Sequence, residues 1–244
     1  MIETLLLSLL AALAGTAFFY ALIASRNSGR KRAARRAAFL DDVQVLFSGG
    51  LKALTSDGFP RISGTYGGVV FDVQAVPDTL NIRKLPALWL LVTMPTPLPL
   101  RATFDLMMRP RGVEIFSNHA QLPVQMEPDP AFPHDCSIRT DNPPGLPPRD
   151  LLMKHTALIE SERLKELIIS PKGLRIVWLA EEASRGRYLI FRDSEMGLSP
   201  FPAGEARDLL NYLLAIRDDI LVRDLEHPAC TTPTSPPSVR QARS

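Results

Sequence analysis

Arg61-Ile-Ser-Gly-Thr-Tyr66-Gly67-Gly68-Val69-Val-Phe-Asp-Val-Gln-Ala-Val76 holds the key to the architecture. Two runs rich in β-branched and aromatic residues flank a Gly-Gly pair. Glycine accepts the positive φ that a tight two-residue hairpin turn demands, so the stretch predicts two antiparallel strands. A hairpin also argues against an all-parallel sheet, whose strands need long crossover connections. Downstream, Ala87–Met94 is a continuous apolar run around Trp89 with proline on either side, and its length suits a buried strand better than a helix.

Two later segments can be laid over each other. Phe104-Asp-Leu-Met-Met-Arg-Pro110-Arg-Gly112-Val-Glu-Ile-Phe116 and Lys165-Glu-Leu-Ile-Ile-Ser-Pro171-Lys-Gly173-Leu-Arg-Ile-Val177 both read as strand, Pro-basic-Gly turn, strand. Proline presets such a turn and glycine closes it. The resemblance fits either two related halves or one turn chemistry used twice. Between them, Pro123–Arg149 is dense in proline and therefore not helical. It fits a subdomain boundary or a long ordered loop, with one short strand at Cys136–Thr140.

Helical spacing marks three other places. Phe39, Leu40, Val43, Leu46 and Phe47 form one apolar face, ended by Ser48-Gly49-Gly50. Asp150–Ile159 repeats the pattern, and Ser161–Glu166 fits a further helical turn. Ala203–Arg223 is the clearest case, with Ala206, Leu209, Leu210, Leu213, Leu214, Ile220 and Leu221 in one stripe. A further strand is expected at Arg187–Arg192. Residues 228–244 are rich in Pro, Thr and Ser and read as a disordered tail. The order of helices and hairpins predicts an α+β domain over residues 39–227.

Ahead of that domain, Leu5–Ala24 is an uncharged run that would make ~30 Å of helix, the thickness of a bilayer core. Arg26, Arg30, Lys31, Arg32, Arg35 and Arg36 follow it within a basic linker over residues 25–38, whereas residues 1–4 carry no Lys or Arg. On the positive-inside rule this predicts a single-pass transmembrane helix with the N-terminus outside and a cytoplasmic domain, in the manner of a bacterial inner-membrane protein. The lipid bilayer is then one partner, with the basic cluster at the membrane surface.

The whole-chain formal charge of +2 hides an asymmetry. With the basic cluster and tail set aside, residues 37–227 hold 20 Lys and Arg against 25 Asp and Glu, a net of about −5. An acidic domain is poorly suited to the phosphate backbone, so no nucleic acid partner is expected. Four histidines are scattered, and His134-Asp135-Cys136 is a lone local cluster with no second ligand pair. Neither a nucleophile motif nor a phosphate loop is present, so no catalytic residue, metal or cofactor is assigned and the balance leans away from an enzyme. Arg185, Arg187 and Arg192 offer a candidate anion or partner site on the expected strand. The leading expectation is an interaction or scaffold domain that binds a protein partner. The alternative is an enzyme or small-ligand sensor whose site is assembled from residues far apart in sequence.

Overall fold

The computed structural model describes residues 2–79, 85–110, 114–186, 188 and 195–226. It is an α+β structure built on one nine-stranded antiparallel sheet. In chain order the strands are β1 (Ser48–Leu54), β2 (Pro60–Tyr66), β3 (Val69–Asp78), β4 (Ala87–Met94), β5 (Phe104–Met108), β6 (Val124–Met126), β7 (Cys136–Thr140), β8 (Leu164–Ser170) and β9 (Gly173–Glu182). Their order across the sheet is β1-β2-β3-β4-β9-β8-β5-β7-β6. The helices are α1 (Ile2–Ala37), α2 (Asp41–Gln44), α3 (Arg149–Met153), α4 (Thr156–Ile159) and α5 (Ala203–Glu226).

Register explains why the sheet has one dry face. Directly paired residues share a face in an antiparallel ladder. One line of such pairs crosses seven strands as Ile62, Val73, Val92, Ile176, Leu167, Leu106 and Ile138. All seven are buried. This face forms the main core with α5, α3, α4 and the short α2. Helix α5 contributes Ala206, Leu209, Leu210, Leu213, Ile216 and Ile220, each buried. At about 1.5–3 kcal/mol for a large apolar side chain, that stripe is a major source of stability.

The neighbouring line of pairs emerges on the opposite face and reads Ser63, Asp72, Thr93, Arg175, Ile168, Asp105, Arg139 and Gln125. It is mostly polar, as expected of a sheet packed on one side only. A small second apolar cluster nevertheless forms there from Leu91, Val177 and Phe116, with Val76 and Trp89 beside it.

Several expectations are met and others corrected. The Gly67-Gly68 turn joins β2 to β3 with φ of 57° and 77°. Ala87–Met94 is a central strand, hydrogen-bonded on both sides. The proline-dense stretch supplies β6 and β7 to the same sheet. Of the two look-alike segments, only the second closes as a hairpin, β8–β9. After β5 the described chain does not return as a strand, and Glu114–Leu122 instead passes over the polar face. The expected helix over Phe39–Phe47 contracts to α2 between turns, and Asp150–Ile159 divides into α3 and α4. Ser161–Glu166 runs into β8 instead of forming a helical turn. Of the strand expected at Arg187–Arg192 only Tyr188 is described, and it is helical, its N–H donating to the Ser184 carbonyl at 2.9 Å; the tail lies outside the described residues.

The transmembrane expectation is overturned. No helix among the described residues is long and apolar enough to cross a membrane. The physical reason is continuity. Helix α1 does not stop where the apolar run stops but continues through Arg26, Arg30, Lys31, Arg32, Arg35 and Arg36 to Ala37. The uncharged run Leu5–Ala24 is thus one stretch of a single 36-residue helix that carries the basic cluster at its other end. The single-pass, membrane-bound reading, the outside-in orientation, the cytoplasmic domain and the bacterial inner membrane all rested on that span and fall with it. What the structure shows instead is a helix with Leu10, Leu13, Phe18, Phe19 and Tyr20 exposed. It joins the domain where Arg32 pairs with Glu195 at 2.9 Å and Arg36 stacks on Phe59.

Candidate functional site

The polar face gains its interest from β5. All five of its residues are buried, because β8 and β7 flank it and both faces are covered. Phe104, Leu106 and Met108 enter the main core. Asp105 and Met107 therefore point the other way. Met107 pairs with Glu166 on β8 and with Ser137 on β7, so Glu166 and Ser137 stand on the same face as Asp105.

Glu114–Leu122 closes over these groups like a clasp. Its base is held by a buried ion pair, Lys165 Nζ to Glu114 at 2.8 Å. Lys165 occupies the β-bulge between Leu164 and Glu166, and it also donates to the carbonyls of Met108 and Arg109. Arg109, at the exit from β5, has a φ of 46°, a conformation costly for a residue with a side chain. Its guanidinium donates to the carbonyls of Glu162 and Leu164, both at 2.7 Å, which holds the turn in place. In the middle of the clasp, Phe116 packs against Trp89 with ring centroids 5.4 Å apart.

A single 3-10 turn, His119–Gln121, then inserts an imidazole between strands. His119 Nδ1 lies 2.9 Å from Asp105 Oδ1, and Nε2 lies 3.1 Å from Ser137 Oγ. Ser117 Oγ donates to Glu166 Oε1 and accepts the His119 backbone N–H at 2.9 Å. Asp105, His119 and Glu166 each present a potential ligand atom, all within 4.8 Å of one another. All three residues are buried.

Burial, reinforced by the negative charge of Asp105, pushes the Glu166 carboxyl up to about 8, against the opposing pull of Ser117, Arg175 and Lys165. Glu166 is therefore largely protonated at neutral pH. Its Oε2 is buried and meets no hydrogen-bond partner among the described residues. An oxygen in that position carries the desolvation cost of a polar group without the compensating bond, ~1–3 kcal/mol.

Cavities lie on both sides of the clasp. One, of about 280 Å³, has Asp105 and Ile168 as floor, Asn118 and Leu122 from the clasp, and Ser170, Pro171 and Lys172 from the β8–β9 turn. Thr103 and Asp141 complete it, joined by hydrogen bonds of 2.7 and 3.0 Å. The other, of about 210 Å³, is bounded by Trp89, Leu179, Arg109 and Lys165, with Asp78, Glu162 and Glu182 as carboxylates in its wall.

The residues singled out in the sequence lie elsewhere. Arg26, Arg30, Lys31, Arg32, Arg35 and Arg36 occupy the last three turns of α1. At 100° per residue they spread around the whole helix and form no single basic face. Arg185 is exposed at a helical turn, while Arg187 and Arg192 lie outside the described residues. His134 is exposed, and the Cys136 thiol is pushed up chiefly by burial, with Asp135 adding to the effect. Cys136 pairs with Met108, on the core side of β7, and does not join His134 in a site.

Sequence reasoning missed Asp105, His119 and Glu166. A signal did exist: Asp105 and Glu166 are single acids inside apolar strand runs, where an unpaired charge is costly. Only the pairing of β5 with β8 shows that they share a face. Comparison with protein families, curated proteins and solved structures returns no match for this chain.

Proposed function

We propose that the chain is a small-ligand-binding α+β domain, an enzyme or a sensor, whose site lies between the polar sheet face and the Glu114–Leu122 clasp. The observation that carries this reading is a buried Asp-His-Glu cluster whose Asp105 also forms the floor of a cavity of about 280 Å³. Concave sites with a few convergent polar groups and a displaced carboxyl pKa are the usual form of binding and catalytic sites. The net charge of about −5 over residues 37–227 supports a ligand other than nucleic acid.

A metabolite library screened by thermal shift and confirmed by calorimetry tests the proposal. Asn118→Leu and Ser170→Leu alter the cavity wall without touching the main core, so they should abolish binding of a true ligand at unchanged Tm. Hits that bind both variants normally, or no hits at all, would count against this site.

A second reading, an interaction module for a protein partner, is favoured by the edge strand β1. Among the described residues it pairs only with β2, and it leaves Leu51 77 % and Leu54 57 % exposed. An open apolar edge is a ready template for an added strand. Affinity purification with the Leu51→Lys variant tests it. A stoichiometric partner lost in the variant supports an interaction role, and one retained excludes β1 as the contact.

A further inference from the structure

We infer that Asp105, His119 and Glu166 form a divalent-cation site of the Zn²⁺ or Mn²⁺ class, set beneath the clasp at the floor of the proposed ligand cavity. This inference rests on the small-ligand reading above for its role, but not for its geometry.

Three observations carry it. The first is placement: one imidazole and two carboxylates from β5, β8 and the clasp converge within 4.8 Å. Bonds of ~2.0–2.2 Å put ligand atoms roughly 3–3.5 Å apart around a metal, so small side-chain rotations would close the set. The second is the fully buried Oε2 of Glu166, which meets no partner among the described residues. A cation supplies the partner that this oxygen lacks. The third is the outer layer of bonds. Ser117 holds the other Glu166 oxygen, and Ser137 holds His119 Nε2, which fixes the ring with Nδ1 towards Asp105. A metal-bound imidazole is usually oriented by such a bond on its far nitrogen.

The donor set selects the ion. One nitrogen and two carboxylates suit a borderline first-row cation better than Ca²⁺ or Mg²⁺, which favour all-oxygen shells. A bound divalent ion would displace the Glu166 proton to solvent, and the two carboxylates would then balance its charge. The cation would take the place of the hydrogen now shared between His119 Nδ1 and Asp105 Oδ1. Three protein ligands leave at least one position open, and Asp105 lies at the boundary with the larger cavity. A ligand there could complete the coordination.

The test uses the full chain after chelator treatment, titrated calorimetrically with ZnCl₂ and with MnCl₂ alone. The expected result is one equivalent bound with micromolar affinity or better. Pulsed EPR of the Mn²⁺ form should show coupling to a single imidazole nitrogen. Glu166→Gln is isosteric with the protonated acid and should fold normally, yet weaken binding by about 100-fold or more. Asp105→Asn should do the same, and His119→Gln should remove the nitrogen coupling. No stoichiometric binding, or binding that survives in both carboxylate variants, would overturn the site. The two readings separate cleanly. A cavity ligand that binds equally in EDTA and to Glu166→Gln upholds the ligand reading and overturns the cation. Stoichiometric, variant-sensitive metal binding with no cavity ligand upholds the cation alone.

Discussion

His155 shows how a single buried ring sets a pH response. It is buried, and its Nε2 lies 3.0 Å from Asp219 Oδ2. Burial lowers its pKa below the ordinary 6.5, outweighing the opposing pull of Asp219. A depressed histidine pKa means that the unfolded chain binds the proton first. Stability is therefore full above 6.5 and falls as pH drops from 6.5 to the lower folded value. Asp219 acts in a separate window. Hydrogen bonding from Lys154 leads the effects that lower its pKa from 3.8, so its contribution persists above 3.8 and is lost further into acid. Between pH 7.5 and 5 the denaturation midpoint of the native chain should fall relative to that of His155→Gln, which keeps a donor to Asp219 without titrating. The comparison cancels the opposite response of Glu166, common to both chains. An unchanged slope in that variant would assign the response elsewhere. Gly173, at the β8–β9 turn, is a different kind of single-residue constraint. Its φ is 138°, and an added Cβ would sit 2.2 Å from the Met94 carbonyl oxygen. Gly173→Ala should cost at least ~2 kcal/mol in urea denaturation. Gly186→Ala, in open space at an ordinary φ, should stay within ~0.5 kcal/mol.

Among the elements, the clasp depends most on one side chain. Phe116 is 9 % exposed and joins Leu91, Val177 and Trp89 in the small second cluster. Phe116→Ala should cost about 3 kcal/mol in local closure. Hydrogen exchange should then accelerate at Ser117 and His119, while the amides of β4 and β9 keep their protection. Equal acceleration in both regions would show that the clasp and the sheet open together. The clasp also shows where the sequence is legible and where it is not. The β2–β3 hairpin, β4 and α5 could be read directly because local chemistry and burial agree: Gly67-Gly68 at the turn, an unbroken apolar run, a clean helical stripe. Strand β1 was opaque because Ser48-Gly49-Gly50 resembles a helix stop, and only its pairing with β2 makes it a strand. The segment after Pro110 misled for a related reason. Its apolar Ile115 and Phe116 match a strand pattern, but Phe116 is buried by the far face of the sheet and not by a ladder. Asp105, His119 and Glu166 come together only through register and a crossing loop, neither of which leaves a local sequence period.

At the scale of the whole molecule, α1 and the sheet domain are unequal partners. Helix α1 is about 54 Å long at 1.5 Å per residue, and its described side chains up to Arg35 are exposed. Contact with the domain begins at Arg32 and strengthens through Arg36, until Phe39 and Leu40 are 3 % and 0 % exposed. Phe39 meets Phe59 and Phe201, and its carbonyl accepts the Phe201 N–H at 2.8 Å. Folding stability should therefore change sharply within a few residues of chain. A chain beginning at Lys31 keeps the Arg32–Glu195 pair and should match the full chain within ~0.5 kcal/mol. It also lacks the exposed Leu10, Leu13, Phe18, Phe19 and Tyr20, so light scattering should show less concentration-dependent association. A chain beginning at Asp41 loses Phe39 and Leu40 together, about 5 kcal/mol or more by the usual cost of large-to-small changes in a core. That is comparable to the whole stability of many domains, so this shorter chain should be largely unfolded. Urea denaturation of the three lengths decides the matter. If the chain from Lys31 is as unstable as the chain from Asp41, the outer turns of α1 stabilise the fold through contacts other than the buried ones at Phe39 and Leu40.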